Sequence, residues 1–143
     1  MKRLVAAGAV CAVLALSTTA CSDSDSSPED EATKAASELC ENLGELKADN
    51  QKLAALDPAT ATKEQVQDAY DDVKDDWNDV KGNLSALSSA KRDAVQGASD
   101  DLRQASEDVP GDTTAQQTLT DLKPQIDKLA TTVSDASTSL KCS

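Results

Sequence analysis

Residues 63–108 read KEQVQDAYDDVKDDWNDVKGNLSALSSAKRDAVQGASDDLRQASED, and the way this stretch divides decides the fold. Its apolar residues recur at alternating spacings of four and three. Val66, Tyr70, Val73, Trp77, Val80, Leu84 and Leu87 lead, followed by Lys91, Ala94 and Ala98. That alternation is the seam of a bundle or coiled-coil helix. The phase slips by one residue through Leu102, Ala105 and Val109, and Pro110-Gly111 ends it. Read without a break, the stretch is one helix of ~46 residues, ~69 Å long. Gly82, Asn83, Ser88 and Ser89 are the residues able to divide it in two. The unbroken phase through Leu84 and Leu87 favours a single helix, because a loop usually resets the phase.

The flanks carry two more seams. Upstream, Ser27 and Pro28 suit the start of a helix whose stripe is Ala32, Ala36, Leu39, Leu43, Leu46, Asn50 and Leu53, with Leu56 one place early. Asp57-Pro58 stops it. Thr62 with Gln65 makes a capping box for the middle segment, and Thr113 with Gln116 makes one for the last helix. The last stripe is Ala115, Leu119, Leu122, Ile126, Leu129, Val133, Ala136 and Leu140, with Pro124 inside it predicting a kink or a fresh start. The expected fold is all-α: an antiparallel three-helix bundle or coiled coil with a long middle helix, spanning about 28–56, 63–108 and 113–141. A four-helix bundle is the alternative.

The N-terminus has its own reading. Lys2 and Arg3 precede an uncharged run from Leu4 to Leu16, too short to span a bilayer of ~20 residues but suited to a signal-peptide core. Ser17-Thr18-Thr19-Ala20 and then Cys21 resemble a bacterial lipobox. The resemblance implies that Cys21 is diacylated on sulfur and begins the mature chain. It also divides the sequence into a lipoprotein signal peptide (1–20), a lipidated cysteine with a flexible acidic tether (21–29) and a helical domain (30–143). Together with the Ala-, Asp- and Thr-rich helices and the final Cys-Ser, these features resemble small lipoproteins of GC-rich Gram-positive bacteria. The resemblance implies an extracytoplasmic protein on the outer face of the cell membrane, with the membrane as a partner through covalent lipid.

Cys11 leaves with such a leader and lipid consumes Cys21. Cys40 and Cys142 remain, an even pair in an oxidising compartment, so a disulfide is expected. Register bears on it. Across the turns at about 57–62 and 109–112, facing residue numbers sum to about 119 and about 221. Both cysteines then lie level with residue 79 of a continuous middle helix. A four-helix chain with flush ends would separate them by ~20 Å along the axis, whereas a disulfide tolerates a Cα separation of about 7 Å. Cys142 lies past Leu140 and needs a frayed end to turn inward.

Composition narrows the functional classes. Loss of residues 1–20 removes two bases and no acid, moving the formal charge from −12 to about −14. Such a chain repels nucleic acid. Leu, Ile, Val and Phe make up about 15% of residues 21–143, a level that signals disorder unless the few apolar residues are patterned, as they are here. The chain has no His, no nucleophile motif and no phosphate loop, so no enzyme and no cofactor is expected.

Asp68, Asp72, Asp75 and Asp79 share one helical face and are the weak candidates for a metal site; a solvated acidic surface is the plainer reading. Tyr70 and Trp77 read first as core anchors and second as an aromatic ligand platform. Asn50 reads as a register-fixing seam residue. Lys91 is expected near Glu29, Asp30 and Glu31. The function expected is a membrane-anchored, non-enzymatic protein-interaction or spacer module with a protein partner the sequence does not name. The alternative is a low-affinity ligand or divalent-cation binder using the acidic face.

Overall fold

The computed structural model describes residues 28–142. The expected signal peptide, Cys21 and the tether as far as Ser27 lie outside the described residues, whereas Pro28 and Glu29, read as the end of the tether, belong to the first helix. The described chain is all-α, with four helices: α1 (Pro28–Ala54), α2 (Lys63–Asn83), α3 (Ser89–Glu107) and α4 (Ala115–Leu140). They form a helical bundle. α1 and α2 pack as one hairpin, α3 and α4 as another, and α1 lies along α4.

Local signals explain most of the boundaries. Asp57 closes α1: its Oδ1 accepts from the Ala59 N–H at 2.8 Å, and its carbonyl accepts from the Ala61 N–H. Thr62 and Gln65 form the expected capping box at α2. The box at α4 sits one residue later than expected, on Thr114 and Gln117. α4 runs through Pro124 as a single helix rather than starting afresh. Pro124 and Thr120 are both exposed, so water can take the carbonyl bond that proline cannot fill.

The middle segment departs from the expected single helix. α2 stops at Asn83, a 3-10 turn covers Leu84–Ala86, and Leu87 and Ser88 are extended before α3 begins. The seam phase survived this break for a physical reason. Residues three apart eclipse one another in a 3-10 turn, and Leu84 and Leu87 both turn inward to plug the end of the core, at 8% and 5% exposure. The slip falls at the loop, not after Ala98. Val95, Ala98 and Leu102 are buried on α3, while Ala94 is exposed and Lys91 half-buried. Lys91 pairs with Asp135 on α4 at 3.6 Å, not with the acidic start of α1.

The core follows most of the other seams: Leu39, Leu43, Leu46 and Leu53 on α1, Val66, Val73, Trp77 and Val80 on α2, and Leu119 to Ala136 on α4; Ala32, read into the α1 stripe, is exposed and Ala36 half-buried. Asn50 is 1% exposed, and its Nδ2 donates to the Ile126 carbonyl at 3.0 Å, fixing α1 against α4.

Cys40 and Cys142 are bridged, with Cα atoms 5.4 Å apart. Four helices and the bridge coexist because the helix ends are not flush. Asn50 lies one turn before the end of α1, whereas Ile126 lies three turns into α4. The ends are thus out of level by roughly seven residues, ~10 Å. The chain end supplies the rest. Lys141 takes a left-handed conformation (φ 59, ψ 38), and the Cys142 N–H donates back to the Ser137 carbonyl at 3.0 Å. The end of α4 is therefore capped rather than frayed, and the cap folds Cys142 back by about one turn, ~5 Å.

Candidate functional site

The four seams differ in tightness. Backbones approach closely between α1 and α2, α3 and α4, and α1 and α4, but hardly at all between α2 and α3. The chain's two aromatic residues sit in that loose seam. Trp77 is buried and Tyr70 half-buried, and their bulk holds the backbones apart.

Where the seam opens, at the end carrying the 108–114 turn, it forms a cleft of about 300 Å³. The first turns of α2 contribute Lys63, Val66 and Tyr70. The end of α3 contributes Ser106, and α4 contributes Ala115 and Leu122. No α1 residue lines it, in keeping with the early stop of that helix. The volume lies at the lower edge of the range typical of small-ligand sites.

Its chemistry is mostly apolar, with a polar rim. Burial holds the Tyr70 phenol above its ordinary pKa, opposed by a hydrogen bond with Ser106, while the Glu107 and Asp71 carboxylates raise it and Arg103 lowers it. Arg103 is itself held by Glu107 at 2.9 Å. The Lys63 Nζ donates to the Gly111 carbonyl at 2.9 Å across the mouth. Deeper along the same seam lies a cavity of about 30 Å³, bordered by Tyr70, Trp77 and Ser99. Tyr70 therefore lines both cleft and cavity.

The acidic residues behave differently. Asp68, Asp72, Asp75 and Asp79 are all exposed along α2, and among the described residues no group of three or more Asp, Glu, His or Cys converges to hold a metal. The sequence reading missed their half-buried neighbour Asp76. Burial pushes the Asp76 carboxyl up to about 6, helped by the charge of Asp49, a hydrogen bond with Asp49, and the charges of Glu45 and Asp79. Asp49 also forms an ion pair with Lys52, whose pKa is raised by that hydrogen bond and then by the Asp49 charge. A signal for this pair was present. Asp49 and Asp76 each immediately precede a seam residue, Asn50 and Trp77, and so flank two antiparallel seams.

Helix α1 marks the opposite end of the molecule. Asn42 Nδ2 donates to the Asp79 carbonyl at 3.2 Å, which sets the α1–α2 register. The last residue of α2 is then level with about residue 38 of α1. The turns of α1 before that level project ~15 Å past the ends of its neighbours, and residues 29–34 are all exposed. No helix among the described residues is long and apolar enough to cross a membrane. No family model matches the chain, and neither a curated protein nor a solved structure is detectably similar to it.

Proposed function

We propose that this chain is an extracytoplasmic lipoprotein, anchored through lipid on Cys21 to the outer face of the cell membrane. It works without catalysis as a protein-interaction or spacer module, and its four helices make an up-and-down antiparallel four-helix bundle. The observation that carries this reading is the polarity of the molecule. The exposed start of α1 projects from one end, toward Cys21 in sequence, and the α2–α3 cleft opens at the other. A tether at one pole and a recess at the opposite pole suit a module that presents its free end outward. Two or three acyl chains would hold it stably, since each buried methylene contributes about 0.8 kcal/mol.

Two measurements test this. Mass spectrometry of the exported protein should find acyl mass on an N-terminal Cys21, and Cys21→Ser should leave the chain uncleaved or released. An unmodified N-terminus elsewhere ends the lipoprotein reading. Photo-crosslinkers placed at Gly111 and at Asp75 on intact cells then locate the working face. Capture of one discrete partner from Gly111 supports the outward-facing end. Capture from Asp75 alone, or a saturable calcium-dependent melting shift lost when Asp72, Asp75 and Asp79 are replaced, would transfer the function to the acidic face.

A further inference from the structure

Among the described residues, three buried side-chain oxygens lack a hydrogen-bond partner: Asn50 Oδ1, Asp76 Oδ2 and Ser99 Oγ. Asn50 is half satisfied through its Nδ2, and Asp76 lies at an open-edged seam. Ser99 is different. It is 6% exposed, its only polar side-chain atom is orphaned, and it borders the 30 Å³ cavity beside Trp77.

The inner walls of that cavity are Val73, Trp77, Leu102 and Leu129, with the exposed Lys74 and Arg103 at its outer edge. A water molecule fits by size, since about 10–15 Å³ is enough, but a buried water needs two to four polar partners and these walls offer little beyond Ser99. An unsatisfied buried hydroxyl destabilises the fold, because its lost hydration is not replaced. Mid-helix serine is also a weaker helix former than alanine. Packing alone would therefore favour alanine here, and the hydroxyl has no structural partner to account for it.

Tyr70 borders both this cavity and the open cleft. Ser106 in the cleft and Ser99 in the cavity lie two turns apart on α3, ~10 Å along the axis. We propose that cleft and cavity together form a binding site for a slender neutral amphiphile. The ligand would be a short alkyl chain with one hydrogen-bonding head, the head on Ser99 Oγ and the chain along Tyr70, Val66 and Leu122. The cavity end, at about 30 Å³, admits a slender group to Ser99 and not a ring. Its inner end has one hydroxyl among apolar side chains, which suits a neutral polar head and penalises an ion. Around it the carboxylates of Asp71 and Glu107 are offset by the cations of Arg103 and Lys74, and the rim ammonium of Lys63 is taken by the Gly111 carbonyl, so the apolar inner end decides against either ion. This site does not depend on how the chain is anchored.

Trp77 is the only tryptophan, so its emission reports on the site directly. The oxidised protein is titrated with 1-hexanol, hexanoate and hexylammonium, three probes of one shape and different charge. Hexanol should give a saturable change in Trp77 emission with a dissociation constant on the order of 1 mM, with both ions at least roughly ten-fold weaker. Ser99→Ala should raise the melting temperature of the free protein and weaken hexanol about five- to ten-fold, the loss of one hydrogen bond. Ala115→Phe, at the first residue of α4 on the cleft wall, should block binding while Trp77 stays buried. A linear response without saturation overturns the proposal. So does an equal response to all three probes, or hexanol affinity unchanged in either variant.

Discussion

The α1–α4 seam and the α2–α3 seam hold the same bundle together by opposite means. Along α1–α4 the backbones lie close, Leu39, Leu43, Leu46 and Leu53 are fully buried, Asn50 bonds across to Ile126, and a disulfide links Cys40 to Cys142. Along α2–α3 the contact is made by side-chain tips, the large residues are aromatic, and a cleft and a cavity remain. A thin core can be spent on closeness or on space. Leucine with alanine and a covalent tie give closeness, while Tyr70 and Trp77 prop the other seam open. α1 is the hub of the closed side, since it packs on both α2 and α4, and the open side lies where α1 is absent.

Removing the covalent tie should break that comparison most severely. The bridge closes a loop with a sequence separation of 102. A loop of that length contributes up to about 4.7 kcal/mol in the chain-entropy account, with about 2–4 kcal/mol typical in practice. The double substitution of Cys40 and Cys142 by Ser should lower the melting temperature by roughly 10 °C or more. Hydrogen exchange should show the loss first at the start of α1 and the end of α4. A melting temperature within a degree or two of the parent would mean that apolar packing alone closes the α1–α4 seam. Lys141 sharpens the point. A left-handed non-glycine residue costs about 1–2 kcal/mol, so Lys141→Gly should stabilise the bridged protein by up to about 1 kcal/mol, and less once the bridge is gone.

The plug at the end of the α2–α3 hairpin comes next. Leu84 and Leu87 are buried in a short turn, and truncation of either to Ala should cost about 2–3 kcal/mol, read by chemical denaturation. If the segment were one helix through this point, Ser89→Pro would be ruinous. Ser89 is instead the first residue of α3, and Ser88 before it is extended (φ −61, ψ 152), a setting that suits proline, so the substitution should cost little. A proline variant that fails to fold would restore the continuous helix.

That segment is also where the sequence was legible and yet misread. Three apolar stripes were visible in spacing, because a core this poor in large apolar residues puts nearly every one of them inside; the phase of the stripe on α3 was misplaced by one residue at Ala94. The disulfide followed from cysteine parity. The break at 84–88 was hidden because a 3-10 turn presents Leu84 and Leu87 to the core at the same three-residue interval that a helix seam uses. The true marker lay further on, where Ala94 gives way to Val95 as the buried residue. The bridge requires a continuous helix only if the helix ends are flush, and they are not. Stagger and a left-handed cap are three-dimensional facts with no simple sequence sign, since Lys141 is not the glycine that usually announces such a cap. The cleft was foreshadowed only by Tyr70 and Trp77, and Ser99 by nothing, one serine among many.

The smallest effect concerns the α1–α2 seam, which is closed like α1–α4 but carries a built-in electrostatic cost. Asp76 faces Asp49 and Glu45 from α1, with Asp79 adding its charge from its own helix, and Lys52, drawn to Asp49, is the nearby cation. Its folded pKa of about 6 stands above the ordinary value of 3.8. Between about pH 4 and 6 the folded state therefore holds more of this proton than the unfolded chain. Stability from this group is present in acid and is lost as pH rises through about 6. The full shift would translate to near 3 kcal/mol, but the side chain is partly open to solvent and screening reduces it to about 1 kcal/mol. Asp76→Asn should thus raise the melting temperature by a few degrees at pH 7.5 and change little at pH 4. Asp75→Asn, one residue away and exposed, should do neither. Adding salt should shrink the gap between Asp76→Asn and the parent at pH 7.5, because part of the penalty is repulsion from Asp49 and Glu45. If Asp76→Asn stabilises equally at both pH values, the carboxyl is not the strained element, and the α1–α2 seam is held as free of charge conflict as α1–α4.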